Sequence, residues 1–240
     1  VGPSFDTVFV LSDEQMGRIP RFYTQAGLAG LMVSGLSDWS ELSALDSWVL
    51  GQPRHLSGAD RQALEHQITE RYAMDYVNYW QSLLMSLDVQ PLQSTDQALE
   101  VLSTITGDEQ PFLRLLSTLG ANTQFKLPVD VGTPNVGVEG SLQLLSKGIT
   151  PPFSATNGVI VERGSQGSQI QEVNQKLVEL RNYLEAIVHA PDPGSSALKA
   201  VQLRMANRYA DPLFSLKQYA RNLPEPLDRW VGQLAEQTAA

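Results

Sequence analysis

Along the 240-residue chain, apolar positions return at three- and four-residue steps in several long stretches, a pattern that predicts helices and few strands. The longest covers 57–88. Leu64, Ile68, Tyr72, Tyr76, Tyr79 or Trp80, Leu83 and Leu87 form one stripe; Glu65, Gln67, Glu70, Arg71, Asp75, Asn78 and Gln81 take the other side. Ser57 or Asp60 caps its start and Pro91 stops it. Ser94 or Thr95 opens a second helix, ending before Gly107, with Ala98, Leu99, Leu102 and Ile105 inward. Asp108 to Gln110 with Pro111 open a third, carrying Phe112, Leu115, Leu116 and Leu119. Short connections between the three predict an antiparallel bundle.

The period fades between 126 and 167, where glycines and prolines punctuate the chain and only 140–147 keeps a helical step. Val159-Ile160-Val161 after Asn157-Gly158 has the composition of a short hairpin arm. From Ser168 the helical period returns. Ser168 and Gln171 fit a capping box, followed by a seam of Ile170, Val173, Leu177, Leu180, Leu184 and Ile187 that ends at Pro191. The next helix, capped by Ser195 or Ser196, is expected to bury Leu198, Val201, Met205 and Tyr209. Asp211-Pro212 opens one with Leu213, Leu216, Tyr219, Ala220 and Leu223. Pro224 and Pro226 precede a last helix with Leu227, Trp230, Val231 and Leu234.

The first 50 residues mix small and aromatic side chains: Phe5, Phe9, Phe22, Tyr23, Trp39 and Trp48. Pro20 fixes a turn there, and Thr24 caps a short helix weakened by Gly27, Gly30 and Gly35. The expected fold is mainly α, with two helical bundle subdomains joined by a Gly/Pro-rich segment holding at most small β-strands. Its divisions are 1–125, the loop-rich connector 126–167 with its short hairpin, and 168–240.

Charge narrows the chemistry. Twenty-six acidic residues against 17 basic ones give a net charge of −9, a balance that disfavours nucleic acid and anionic membrane surfaces. The excess belongs to residues 1–120, which hold 15 acidic residues and six arginines; 121–240 hold 11 of each sign. Absence of cysteine removes disulfides, thiolate metal sites and a cysteine nucleophile. The longest apolar run, 28–36, is broken by Gly30, Ser34 and Gly35 and is far short of the ~20 residues that cross a bilayer. With Val1 at its start, the chain reads as a soluble piece of something longer.

No phosphate-binding loop, G-x-S-x-G elbow or H-E-x-x-H motif occurs, and His55, His66 and His189 are too far apart to share a helical turn. Glu65, Glu70 and Asp75 could serve a glycosidase only across a cleft, yet they fall on the polar face of their helix. The Tyr72, Tyr76, Tyr79, Trp80 group reads either as a sugar-stacking or partner platform or, given its helical spacing, as core. The Ile170–Ile187 seam reads as packing on the helices after it rather than as a coiled coil between chains. No catalytic, cofactor-binding or metal residue is nominated, and no partner-binding residue.

Several segments together resemble a known family. Asp46-Ser47-Trp48-Val49-Leu50-Gly51, the run from Leu64 to Leu84, Pro111-Phe112-Leu113-Arg114-Leu115-Leu116 with Asn122-Thr123, Leu223-Pro224-Glu225-Pro226-Leu227-Asp228-Arg229-Trp230 and Leu234-Ala235-Glu236-Gln237 carry it. In that order they resemble the periplasmic region of the TssM (IcmF-like) inner-membrane components of bacterial type VI secretion systems, over about 19–237 and most weakly through 126–167. The resemblance implies a non-catalytic scaffold without a cofactor in the periplasmic part of a trans-envelope complex. Implied partners are other copies of the chain, the outer-membrane lipoprotein TssJ with its main contacts downstream of this segment, and the inner-membrane TssL through the parent protein. The alternative expectation is a module that binds or cleaves peptidoglycan, motivated by the carboxylates and aromatics.

Overall fold

The computed structural model describes residues 4–28, 57–125, 136–164, 167–206 and 211–238. Trp39, Trp48, the 46–51 motif, His55 and Tyr209 lie outside the described residues. In chain order the main elements are α1 (Phe5–Val8), β1 (Phe9–Leu11), α2 (Gly58–Ser86), β2 (Leu87–Val89), α3 (Thr95–Thr106), α4 (Pro111–Thr123), α5 (Val136–Ile149), α6 (Ser154–Gly158), α7 (Gln169–Val188), α8 (Pro193–Ala206), α9 (Pro212–Ala220) and α10 (Leu227–Gln237). The fold is mainly α, with one two-stranded sheet among the described residues. Two compact units form, one from Val1–Glu14, Leu84–Leu119 and Ala155–Ala240, the other from Gln15–Leu83 and Gly120–Ser154.

In the first unit β1 and β2 pair antiparallel in the register Phe9↔Val89, Val10↔Asp88, Leu11↔Leu87. The chain leaves the helical period at Leu87, so this residue, expected as the last of the helical stripe, is the first of β2. Helix α10 lies beside β2. Trp230 Nε1–H donates to the Leu87 carbonyl at 2.8 Å, and the Arg229 guanidinium donates to the Leu84 and Leu87 carbonyls at 2.9 and 2.8 Å. Gln233 accepts from the Val89 N–H at 3.2 Å and donates to Asp88 Oδ1 at 3.0 Å; Gln237 accepts from the Leu92 N–H at 2.7 Å. Side chains one helical face apart thus satisfy backbone groups of the strand and of the preceding helix end.

The Trp230 ring is fully buried, edge-on to Phe9 at 5.1 Å and 6.0 Å from Phe112; Phe9 also lies 5.1 Å from Phe5 and 5.2 Å from Phe112. Around this cluster α3 packs on α7, α7 on α9, and α9 on α10. The α7 seam is buried at Ile170, Val173, Leu177, Leu180 and Leu184. Its capping box forms as expected from Ser168 and Gln171, and Asp211 caps α9 by accepting from the Leu213 N–H at 3.1 Å. In α3 the buried face is Ala98, Val101, Leu102 and Ile105, with Leu99 only half-buried, a rotation of the expected stripe.

Two expectations need correction. Residues 154–158 form α6, and Asn157-Gly158 ends that helix instead of turning a hairpin. The Val159 N–H returns to the Thr156 carbonyl at 3.2 Å, and its carbonyl accepts from the Ile170 N–H at 3.1 Å, so the β-branched run supports the start of α7. In α8 the phase is opposite to that expected. Leu198, Val201 and Met205 are exposed, while the small Ser195, Ser196 and Ala200 are half-buried on a helix that packs on α7.

In the second unit, α2 carries an aromatic face with Tyr76 and Trp80 in the core. Leu64, expected on that stripe, is 41% exposed. Gly148 of α5 explains a close helix approach: a Cβ there would lie 3.0 Å from the Ala73 Cβ. Thr24 caps the turn after it, its Oγ1 accepting from the Gly27 N–H at 3.0 Å, and any Cβ at Gly27 would collide with the Arg21 carbonyl oxygen.

Leu180→Ala is expected to cost about 2–5 kcal/mol by leaving a cavity in the α7 seam. Leu198→Ala should stay within about 0.5 kcal/mol because its side chain is in water. Gln233→Ala should cost about 1–3 kcal/mol by stranding the buried Val89 N–H, while the half-exposed Asp88 carboxylate keeps its ion pair to Arg229 at 3.4 Å. Urea midpoints of the three variants check all of these.

Candidate functional site

The aromatic group on α2 is the first candidate. Trp80 Nε1–H donates to the Tyr23 carbonyl at 2.9 Å, the Tyr79 hydroxyl to the Arg18 carbonyl at 3.3 Å, the Tyr72 hydroxyl to the Phe22 carbonyl, and the Tyr76 hydroxyl to the Asn122 carbonyl at 2.7 Å. Tyr23 stacks on Tyr79 at 4.4 Å and 11°, and Tyr76 meets Phe125 edge-on at 5.9 Å. Four polar tips therefore hold the irregular segment around 18–23 and the end of α4. The group is a lock on the backbone rather than an open stacking platform, because Tyr76 and Trp80 are fully buried, Tyr79 is stacked on Tyr23 and every polar tip is bonded to a main-chain carbonyl.

Burial, and then the neighbouring Tyr23, push the Tyr72 hydroxyl up to about 12. Burial likewise raises Tyr76 and Tyr79. All three donate as neutral phenols.

The titratable candidates do not converge. His66 pairs with Glu70 at 3.3 Å on the exposed side of α2, and Asp75 pairs with Arg71 at 3.2 Å one turn further on. Glu65 lies 3.5 Å from the Ser141 hydroxyl, and the His189 ring sits 3.1 Å from the Glu185 carbonyl at the end of α7. Among the described residues no three or more His, Asp or Glu side chains gather as a metal-holding group.

A polar cluster that the sequence did not single out joins α7 to α9. Lys176 Nζ donates to Ser215 Oγ at 2.9 Å and lies 5.4 Å from the Tyr219 ring centre, and the Tyr219 hydroxyl donates to Glu172 at 2.6 Å. Burial first, then the bond to Glu172 and its charge, raise the Tyr219 hydroxyl above its ordinary range. Lys176 is the donor to Ser215, the reverse of a base activating a nucleophile. Ser215 sits inside α9 with its own N–H bonded to the Asp211 carbonyl at 3.0 Å, so it offers no adjacent pair of free amides for an oxyanion. The cluster can tie two helices together.

Two surface features of the first unit remain. One is the exposed apolar stripe of α8. The other is a pocket of about 100 Å³ where the end of α3 and the start of α4 meet the first half of α7. Ile105, Phe112, Leu113, Ile170, Val173 and Leu177 make its walls, with Gln110, Gln171 and Asn174 as polar members. Gln110 has φ 40°, a left-handed conformation costly for a residue with a Cβ. Neither feature stood out in the sequence. The stripe has the same spacing as a core face, and the pocket joins residues about 60 positions apart.

Stability is expected to fall between about pH 10 and pH 12, since a tyrosine raised from its ordinary value near 10 favours the neutral folded form and loses that advantage as pH passes its folded value. Urea midpoints across pH 8–12, with phenolate absorbance followed in parallel, check this. Tyr72→Phe should shallow the alkaline fall.

With this geometry in place, comparison with known proteins places the chain. Over 105 residues it is 29% identical to the type VI secretion system component TssM1 of Pseudomonas aeruginosa, a match covering 44% of this chain and 9% of that much longer protein. No solved structure matches. The pattern of the IcmF-related family, described as intracellular multiplication and human macrophage-killing, matches residues 1–124. Just over half of the sequence fits that pattern, and the chain belongs to the IcmF-related family.

Proposed function

We propose that this chain is a non-catalytic structural module of the periplasmic part of a type VI secretion trans-envelope complex, and that it packs against other copies of itself and against envelope partners. The observation that carries the reading is the similarity to TssM1 across 105 residues. Two features support it. The aromatic group is spent on internal hydrogen bonds, and the α2 carboxylates do not converge: Glu70 and Asp75 pair with His66 and Arg71 on the surface of the helix, and Glu65 lies against Ser141. In this reading the outer-membrane lipoprotein TssJ meets the parent protein mainly downstream, and TssL meets it at the inner membrane.

The acidic excess is concentrated in the first unit. Val1–Glu14 and Leu84–Leu119 hold eight acidic residues and one arginine, whereas Ala155–Ala240 hold nine of each sign. Asp96 and Glu100 stand exposed one turn apart on α3. Such a face gives register and partner choice in an assembly more than raw affinity.

Asp96→Lys with Glu100→Lys, placed in the full protein in its host, is expected to cut secretion and co-purification of envelope partners by about tenfold or more, since like-charge contacts cost several kcal/mol. Secretion and complex yield at wild-type levels would refute the use of this face. The isolated chain is expected to leave purified sacculi unbound and uncleaved; muropeptide release or retention would favour a peptidoglycan-acting module instead.

A further inference from the structure

Strand β1 pairs with β2 along one edge, and the phase of that ladder decides what its other edge offers. The Ser12 N–H donates to the Ser86 carbonyl and the Gln90 N–H to the Val8 carbonyl, each at 2.9 Å. With Val10 opposite Asp88, the residues Val8, Val10 and Ser12 turn main-chain groups to β2, and Phe9 and Leu11 turn theirs away. The Phe9 N–H closes α1 on the Phe5 carbonyl, and the Phe9 carbonyl accepts from Gln90 Nε2 at 3.4 Å. Leu11 has no such help. Among the described residues neither its N–H nor its carbonyl has a hydrogen-bond partner. Val10 before it is 37% exposed, and Ser12, Asp13 and Glu14 after it are exposed. Side chains of α10 close the far edge of the sheet, on β2; the Leu11 edge is open.

The chain on both sides of this open edge is acidic. Asp6, Asp13 and Glu14 are exposed, and 4–14 hold no lysine, arginine or histidine. Arg229, which is bonded to this sheet, sits at the opposite edge against the Leu87 carbonyl and Asp88. Two β1 strands are poorly suited to each other. In the antiparallel register centred on Leu11, Glu14 falls opposite Val8, two residues from Asp6, and in the parallel register Asp13 lies beside its own counterpart.

We propose that the Leu11 edge of β1 takes an extended segment of a partner protein as a third strand, with lysine or arginine flanking that segment against Asp6, Asp13 and Glu14. The added strand bonds to both main-chain groups of Leu11 and shares the Phe9 carbonyl with Gln90. Such strand addition draws affinity from main-chain bonds, and the flanking charges give it selectivity. The partner residue beside Leu11 falls on the sheet face of Phe9, Leu87 and Val89, all buried, so it is apolar. The proposal rests on the assembly reading above and names the chemistry of one partner.

The purified chain and two synthetic probes test it. Both probes are strands of about eight residues alternating valine and threonine, one ended by lysines and the other by glutamates. By fluorescence polarisation the lysine-ended probe should bind with Kd of about 10⁻⁴–10⁻³ M, at least about tenfold tighter than the other. Leu11→Pro removes the outward N–H and fills its place, while Val10 already has the extended backbone that a following proline demands. It should cut binding at least about tenfold and keep the fold, whereas Val10→Pro, which takes an N–H from the ladder, should lower the thermal midpoint. Asp13→Lys with Glu14→Lys should abolish the preference for lysine ends. That reversal leaves β1 untouched and reads the same edge if the proline variant loses its fold. In hydrogen exchange the Leu11 N–H should be open in the free chain and slowed by the lysine-ended probe.

A Leu11 N–H protected in the free chain overturns the proposal, as does a lysine-ended probe that stays unbound at about 1 mM. Equal binding of the two probes, or binding unchanged in a folded Leu11→Pro chain, also overturns it. Because these measurements use the chain and peptides alone, their failure leaves the envelope reading intact. Normal secretion by the α3 charge reversals would in turn leave this edge standing.

Discussion

Among the described residues strand β2 has one strand neighbour, β1, and what happens at its other hydrogen-bonding edge organises the first unit. A backbone carbonyl or amide left unpaired there would cost about as much as a lost hydrogen bond, and a free edge would invite pairing with another chain. Side chains of α10 close it: Trp230 and Arg229 on the Leu87 carbonyl, Gln233 on the Val89 amide, Gln237 on the Leu92 amide. Arg229 also reaches the Leu84 carbonyl near the end of α2, where a cation meets the negative end of the helix dipole. The helix that supplies these groups sets Trp230 against both Phe9 and Phe112, which also touch each other, and so joins the first and last parts of the chain through one ring cluster. Helix α9 packs on α10, α7 on α9 and α3 on α7, so the order of the unit is built outward from this contact.

The second unit uses polar aromatic tips for a similar purpose. The backbone around residues 18–23 has little regular structure, and its carbonyls find donors in Trp80, Tyr79 and Tyr72. Tyr79 stacks on Tyr23, Tyr72 lies against Tyr76 and Trp80 is buried, while the polar tips reach the backbone, a division of labour that phenylalanine could not perform. In both units, then, helix side chains replace the partners that a larger sheet or a longer helix would have supplied to the main chain.

The period of apolar residues made most helices legible, together with their caps at Ser94, Ser168 and Asp211, because capping and burial both act over a few neighbouring residues. It failed where two faces of one helix compete. In α8 the larger Leu198, Val201 and Met205 read as the core face, yet they are exposed, whereas the small Ser196 and Ala200 are half-buried. At Asn157-Gly158 a turn signal was real but served a helix end, since Thr156 anchors α6 by donating to the Glu225 carbonyl at 2.8 Å, 69 residues away. Arg229, Gln233 and Gln237 stood in plain view at helical spacing, but the groups they serve lie about 145 positions earlier, and no local pattern encodes that distance. The tyrosine group was legible as core and illegible as a lock for the same reason.

Charge and apolar exposure in the first unit are complementary rather than uniform. The acidic excess falls in the segments that build α1, β2, α3 and the turn before α4, whereas the neutral Ala155–Ala240 segment carries the exposed α8 stripe with its lysine. A uniformly acidic surface would keep copies apart by mutual repulsion, and a uniformly apolar one would bring them together without register. Here the acidic excess and the exposed stripe are carried by different segments of the chain, so like charge and exposed apolar surface are not built into the same helix.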